Sequence, residues 1–323
     1  MAKGSGPGRW IRLALVGIAL AVLIIVVIVA VLWWRGRPSE SPPPPPPPVP
    51  GEPETQPASC TDVQVIAVPG TWESAVDDDP HAPQANPNAL LLQVTGYLQD
   101  RFDPSRAEVL TVPYVAEFAN PTAPPQTTYD DSRAAGTAAT LEMISERSAE
   151  CPLTGYVLIG FSQGAVIAGD VAAQIGAGDG PVAQERLLGV GLVADGRRDS
   201  EGPGAAAQQL GVPAGQGAEV MLGFLGTIPG MPGTTMTGAR PGGFGEVADR
   251  VVQICAPADL ICDAPNEVVS DLLGTIGKLT QAAAAPVHAL YDSNPIIDGT
   301  TATAFLREWA AEIIEDAPVP RTG

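Results

Sequence analysis

Residues 156 to 168 read Tyr-Val-Leu-Ile-Gly-Phe-Ser-Gln-Gly-Ala-Val-Ile-Ala: a strand-like apolar run, a glycine-flanked turn and the opening of a helical pattern. Few folds accept that order. A strand passing through a sharp turn straight into a helix suits a parallel sheet covered by helices, with Ser162 raised on a strained elbow at the end of the strand. An ordinary strand-to-helix turn capped by a serine is the competing reading. In a chain with 36 glycines the pentapeptide alone is weak, so its flanks carry the inference.

The same alternation continues along the chain. Strands are expected near Val63–Val68, Glu108–Pro113, Tyr156–Phe161, Leu187–Val193 and Arg250–Ile254, and helices near Asn88–Arg101, Tyr129–Ala149, Gln163–Ile175, Asn266–Ala283 and Thr300–Ile314. This pattern predicts an α/β fold, a three-layer sandwich around a central, mostly parallel five-stranded sheet, and right-handed crossovers restrict its strand order. Gly202 to Gly245 breaks the pattern, being crowded with Gly and Pro around an apolar stretch, Val220 to Leu225. It reads equally as a flap over a site or as a disordered surface excursion.

The N-terminal part of the chain has a different character. From Leu13 to Trp34 all 22 residues are apolar or Gly. At about 1.5 Å per residue this helix would cross a hydrocarbon core of about 30 Å. A cleaved signal peptide would have an apolar region of only about 7–15 residues, so an uncleaved anchor is favoured, with a secreted form following if the N-terminus is removed. Lys3, Arg9 and Arg12 precede the span and Arg35 and Arg37 follow it, a modest bias towards a cytoplasmic N-terminus and an extracytoplasmic body. Seven prolines, Pro42 to Pro48, then favour an extended, semi-rigid spacer. The expected organisation is a cytoplasmic N-terminus (1–12), a transmembrane anchor (13–34), a proline-rich linker (35–59) and one α/β domain (60–323).

Four cysteines permit three pairings, and an even count suits an oxidising compartment. Cys255 and Cys262 are close enough in sequence to staple a local loop, which leaves Cys60 and Cys151 to join the start of the domain to its middle. The two bridges would contribute about 2.5 and about 4.5 kcal/mol by loop entropy. No C-x-x-C pair exists and neither histidine sits at ligand spacing, so no metal is expected. The net charge of −19, with basic residues grouped only at the apolar span, opposes nucleic-acid binding.

A serine hydroxyl needs a base to take its proton. Of the two histidines, His81 lies in a polar turn ahead of Ser162, whereas His288 lies downstream and completes the order Ser, acid, His. Asp259 falls inside the Cys255–Cys262 loop directly after the last expected strand, where open α/β sheets place their sites. Asp263 and Asp249 are the alternatives, one past the staple and one before the strand. An oxyanion would be met by the backbone N–H of Gln163 and by the loop Pro69-Gly70-Thr71, with the Thr71 hydroxyl as a further donor.

Taken together, Gly70-Thr71 with nearby Glu73, the Gly-Phe-Ser-Gln-Gly elbow, the Cys-x-x-x-Asp-x-x-Cys loop and the following His288 resemble the cutinase family. The match runs from about Cys60 to the C-terminus. The resemblance implies a cutinase-like α/β-hydrolase fold, a catalytic triad of Ser162, Asp259 and His288, an oxyanion hole from Thr71 and Gln163, and family disulfides among Cys60, Cys151, Cys255 and Cys262. Within the family the chain looks like the membrane-anchored cutinase-like lipases of mycobacteria and related mycolic-acid bacteria. That likeness implies a cell-envelope serine esterase or lipase acting on fatty-acyl esters or thioesters, phospholipase A-like or thioesterase-like, with no cofactor and with a lipid or acyl-ester substrate. An envelope acyltransferase and a catalytically idle hydrolase fold used for binding are the alternatives. Pro69 departs from the Arg found in many cutinases. The chain between Asp259 and His288 is longer than in small fungal members and carries Val268, Val269, Leu272 and Leu273, which favours a covered lipid site over hydrolysis at a polymer surface.

Overall fold

The computed structural model describes residues 55–119, 125–212, 214–264 and 286–323. The expected cytoplasmic N-terminus, Leu13–Trp34 anchor and most of the proline-rich linker lie outside the described residues. So do the expected Asn266–Ala283 helix and its apolar side chains. Among the described residues no helix is long and apolar enough to cross a membrane.

In chain order the main elements are β1 (Val63–Val68), α1 (Leu92–Arg101), β2 (Ala107–Thr111), α2 (Tyr129–Glu150), β3 (Gly155–Phe161), α3 (Gln163–Gly176), β4 (Leu187–Val193), β5 (Gln208–Gly211), α4 (Ala218–Leu222), β6 (Val251–Cys255), α5 (Pro286–Ala289), β7 (Pro295–Ile297), β8 (Thr300–Thr301) and α6 (Ala302–Asp316). The first six strands form one sheet in the order β2-β1-β3-β4-β6-β5, with every neighbouring pair parallel. β7 and β8 form a separate antiparallel pair.

Period-two alternation sorts the strand side chains between two cores. From β1, Val63, Val65 and Ala67 pack with Leu98 of α1 and with Leu306 and Ile314 of α6. Ile66 and Val68 face the other way, into a core with Ile144 of α2 and Ile167 and Val171 of α3. Helix starts follow capping chemistry: the Thr128 side chain accepts the Asp131 N–H at the head of α2, and Thr301 accepts the Ala304 N–H at the head of α6.

The sheet has six strands rather than the expected five. The additional one, β5, pairs with β6 at the edge through Gln208↔Val252 to Gly211↔Cys255. Its sequence, Gln-Gln-Leu-Gly, is short and its residues are half-buried or exposed, so it carries neither an apolar run nor a clear alternation. The helix expected from Asn88 begins at Leu92, because the preceding turns are held instead by the Leu90 N–H, which donates to Glu73 Oε1 at 2.9 Å.

Residues 214–245 are tied down by ion pairs and form neither a free flap nor a disordered excursion. Arg240 donates to Asp195 (2.6 Å) and to Asp170 (2.8 Å), and Arg197 donates to Asp170 (2.8 Å) and to the carbonyls of Gly238 and Ala239. Glu219 of α4 accepts from Tyr129, Arg133 and Thr237. Around these ties Leu222, Ile228, Met231 and Met236 pack with Tyr129 into a small apolar cluster.

Candidate active site

Ser162 stands between β3 and α3 with φ 55° and ψ −120°. A non-glycine residue at positive φ is strained by roughly 1–3 kcal/mol, and here the surroundings enforce it. The Ser162 N–H donates to Val193 O of β4 at 2.9 Å. Its flanking glycines answer a steric demand: a Cβ on Gly164 would lie 2.0 Å from Val68 O, and one on Gly160 would lie 2.4 Å from Gly164 O. The elbow therefore packs against β1 so tightly that larger residues would push the serine out of position.

His288 and Asp259 complete a hydrogen-bonded chain. His288 Nε2 lies 2.9 Å from Ser162 Oγ, and Nδ1 lies 2.8 Å from Asp259 Oδ2. Asp259 is buried (1% exposed) and His288 nearly so (7%). The imidazole stacks on Phe161, ring centroids 5.1 Å apart, which fixes its plane. Cys255 and Cys262 are bonded to one another, as are Cys60 and Cys151, giving the pairing expected from spacing. The Cys255–Cys262 loop turns through Ala258 at φ 65° and presents Asp259 inward. Asp263 accepts the Ala258 N–H (3.1 Å) and braces the outside of that loop, while Asp249 is exposed beside Arg250. His81 is exposed, with its nearest acidic partner Glu108 at 4.0 Å.

Two further groups shape this chain. Tyr291 donates its hydroxyl to Asp259 Oδ2 (2.7 Å) and accepts the Ala256 N–H (2.9 Å), so one side chain ties the carboxylate to the end of β6. Burial and then the Asp259 charge push the Tyr291 phenol well above its ordinary value, so it remains a donor at neutral pH. Ile261 N–H occupies Asp259 Oδ1 at 3.1 Å. Glu73 accepts from the Gly70 N–H (2.9 Å) through one oxygen and from the Leu90 N–H (2.9 Å) through the other. Burial raises its carboxyl above the usual range, opposed by those two hydrogen bonds and by His288. Glu73 thereby fixes the loop that bears Thr71.

Gln163 is the first residue of α3, so its N–H has no intrahelical acceptor and adjoins Ser162. The Thr71 hydroxyl donates to Gln163 Oε1 (2.9 Å), and Gln163 Nε2 donates to Ser132 Oγ (2.7 Å). The two expected oxyanion residues are thus brought together and locked to each other.

Ser162 and His288 open onto a cavity of about 740 Å³, within the range of small-molecule sites. Its walls are divided by chemistry. Phe118, Leu222, Ile228, Met231 and Met236 supply an apolar side, and Trp72, Asn86, Asn88 and Asp292 line another part. Among the described residues no group of three or more His, Cys, Asp or Glu converges on a metal position.

Residues 59–290 match the family profile described as Cutinase. The chain belongs to the cutinase family. It is also 47% identical over 268 residues to a carboxylesterase Culp6 homolog of Corynebacterium glutamicum, covering 82% of this chain and 85% of that protein. These relationships make the chain a serine carboxylic-ester hydrolase. Similar solved structures include a cutinase-like protein from Cryptococcus (TM-score 0.47, 17% identity, 83% of this chain and 100% of that one). The catalytic core of acetyl xylan esterase from Trichoderma reesei is another (TM-score 0.45, 20% identity, 70% and 97%).

Sequence reasoning picked out Ser162, His288, Asp259, Thr71 and Gln163 and missed Tyr291 and Glu219. Tyr291 had a local signal, lying three residues after His288, but a tyrosine there reads as core until its hydroxyl is seen on the carboxylate. Glu219 had none, since its partners come from α2 and from residue 237.

Proposed function

We propose that this protein is a cell-envelope serine esterase that hydrolyses fatty-acyl esters or thioesters through a Ser162 acyl-enzyme. The observation that supports this most is the Ser162–His288–Asp259 hydrogen-bonded chain at the edge of a cavity with one apolar wall. As Ser162 Oγ bonds to the acyl carbon, His288 Nε2 takes its proton, and Asp259 holds the other ring nitrogen as an N–H donor. The carbonyl electrons move onto oxygen, which the Gln163 N–H and the Thr71 loop stabilise. On collapse the bond to the leaving oxygen or sulfur breaks and His288 returns the proton to it. Water then adds to the acyl carbon with His288 again as base, releasing the fatty acid and restoring Ser162.

The apolar wall formed by Leu222, Ile228, Met231 and Met236 suits the acyl chain, at about 0.8 kcal/mol for each methylene buried. The Leu13–Trp34 run and the proline-rich stretch support attachment to the membrane with the domain outside the cytoplasm, where both disulfides persist. A fluorophosphonate probe on the purified full-length protein should label Ser162 and abolish ester hydrolysis, with acyl-chain profiling of the released acids giving chain length. Labelling at another residue, or undiminished hydrolysis by Ser162→Ala, would overturn the reading.

A further inference from the structure

The His288 side of the cavity has a different chemistry from the acyl wall, and the reaction fixes what must lie there. His288 Nε2, 2.9 Å from Ser162 Oγ, has to hand its proton to the leaving atom. The leaving group therefore sits beside His288, where the chain continues through Ala289 to Asp292. Gln93 Nε2 donates to Asp292 Oδ2 at 2.9 Å, which brings the 86–93 segment alongside residues 288–292. Trp72, Asn88 and Asp292 line the cavity from these segments and from the loop after β1.

The three side chains are available to a ligand. Trp72 is 50% exposed and held at φ 64°. Its N–H donates to Ala116 O (2.5 Å) and its carbonyl accepts from Asn86 Nδ2 (3.2 Å). A bulky residue at positive φ is an outlier that points to a functional demand. Asn86 spends its other side-chain atom on the Asn88 N–H (2.9 Å), whereas the Asn88 carboxamide has no protein partner among the described residues. Asp292 Oδ1 is likewise unshared. A carboxamide that donates and accepts, a carboxylate that accepts and an exposed indole face match an alcohol bearing further hydroxyls on an apolar carbon frame.

Charge sharpens the choice. Among the described residues lining the cavity there is no Lys or Arg, against Glu73, Glu219 and Asp292. Glu219 is paired with Arg133 (3.1 Å) and both Glu73 oxygens accept backbone N–H groups, so Asp292 is the carboxylate left facing an incoming group. We infer that Trp72, Asn88 and Asp292 form a leaving-group subsite for a neutral polyhydroxylic alcohol, glycerol-like or sugar-like, and that it disfavours phosphate-bearing leaving groups. This rests on the esterase reading and selects among the acyl donors that reading spans.

Four lauroyl esters test it on the full-length protein in detergent: 1-monolauroylglycerol, 6-O-lauroylglucose, 1-lauroyl lysophosphatidic acid and p-nitrophenyl laurate. One of the two polyol esters should exceed the phosphate ester in kcat/KM by about tenfold or more, as one unpaired charge at the lip would give. The better of the two says whether glycerol or sugar is the source. Asp292→Asn should narrow that gap by raising the phosphate ester, and Asn88→Ala should narrow it by lowering the polyol ester. Equal turnover of phosphate and polyol esters, or a ratio untouched in both variants at unchanged Tm, would overturn the subsite while p-nitrophenyl laurate turnover kept the esterase reading intact. Failure to turn over any of the four esters would refute the esterase reading itself, and the subsite with it.

Discussion

Replacing Arg240 by Ala tests whether the acyl wall depends on a buried ion-pair network remote from Ser162. Arg240 is 4% exposed and its guanidinium reaches Asp195 Oδ2 (2.6 Å), Asp195 Oδ1 (3.1 Å), Asp170 Oδ1 (2.8 Å) and Val166 O (3.1 Å). It fits only because residue 169 is glycine, where a Cβ would come within 2.4 Å of Arg240 Nη2. Arg197 still serves Asp170 after the change, but Asp195, 1% exposed, loses both guanidinium bonds and keeps the Arg197 N–H. Breaking a buried pair from one side costs about 3–5 kcal/mol. For a domain of this size that corresponds to a Tm loss of roughly 6–20 °C. Arg240 follows Gly238 and Ala239, whose carbonyls Arg197 holds, and Met236 precedes them at the cavity wall. Loosening this segment should withdraw methylene contacts worth about 0.8 kcal/mol each. Losing two of them would reduce the palmitate-to-butyrate ratio of kcat/KM for p-nitrophenyl esters by about tenfold. Butyrate turnover should survive below the new Tm. A variant with the lowered Tm and an unaltered chain-length ratio would refute the link between this network and acyl binding.

Three other outcomes are expected. Tyr291→Phe removes a hydrogen bond to a charged carboxylate, worth about 1.5–3 kcal/mol, and should lower kcat for a short p-nitrophenyl ester roughly ten- to hundredfold; an unchanged kcat in a folded variant would remove Tyr291 from the positioning of Asp259. Ser162→Ala and His288→Ala should each abolish hydrolysis to a similar floor, with the double variant falling little further because both act on one proton path, while His81→Ala should retain activity; additive losses would argue for separate roles. Tyr114, Tyr129, Tyr156 and Tyr291 are all pushed above the ordinary phenol value, in each case by burial first. The folded state keeps these protons where the unfolded chain has lost them, so their stabilising contribution is present below about pH 10 and is lost as the pH rises above it, at up to about 1.4 kcal/mol per pH unit for each. Urea midpoints measured from pH 9 to 11.5 should fall steeply, and a flat profile would contradict the burial of these hydroxyls.

What could be read from the sequence was whatever depends on neighbours along the chain. The order strand, glycine, serine, glycine, helix is a local demand, because Gly160 and Gly164 are needed by contacts within the elbow and against β1. Asp259 was legible for a related reason: a seven-residue disulfide loop after a strand leaves few places for its carboxylate. The features that escaped are held by distant partners. β5 exists because β6 offers it an edge, and nothing in Gln-Gln-Leu-Gly announces a strand. Residues 214–245 read as an excursion because Gly and Pro hide the apolar periodicity, yet they are fixed by carboxylates from α3 and the end of β4 that no sequence pattern links to Arg240. The same division holds inside the site. Nucleophile, base and acid lie at the ends of regular elements or in a stapled loop, where local chemistry constrains them. The wall facing the acyl chain and the lip facing the leaving group are assembled from segments more than a hundred residues apart. In this fold the reaction is thus written locally and the choice of substrate is written by tertiary packing, which is why Met236 and Asp292, rather than Ser162, are the positions at which specificity should change without loss of the chemistry.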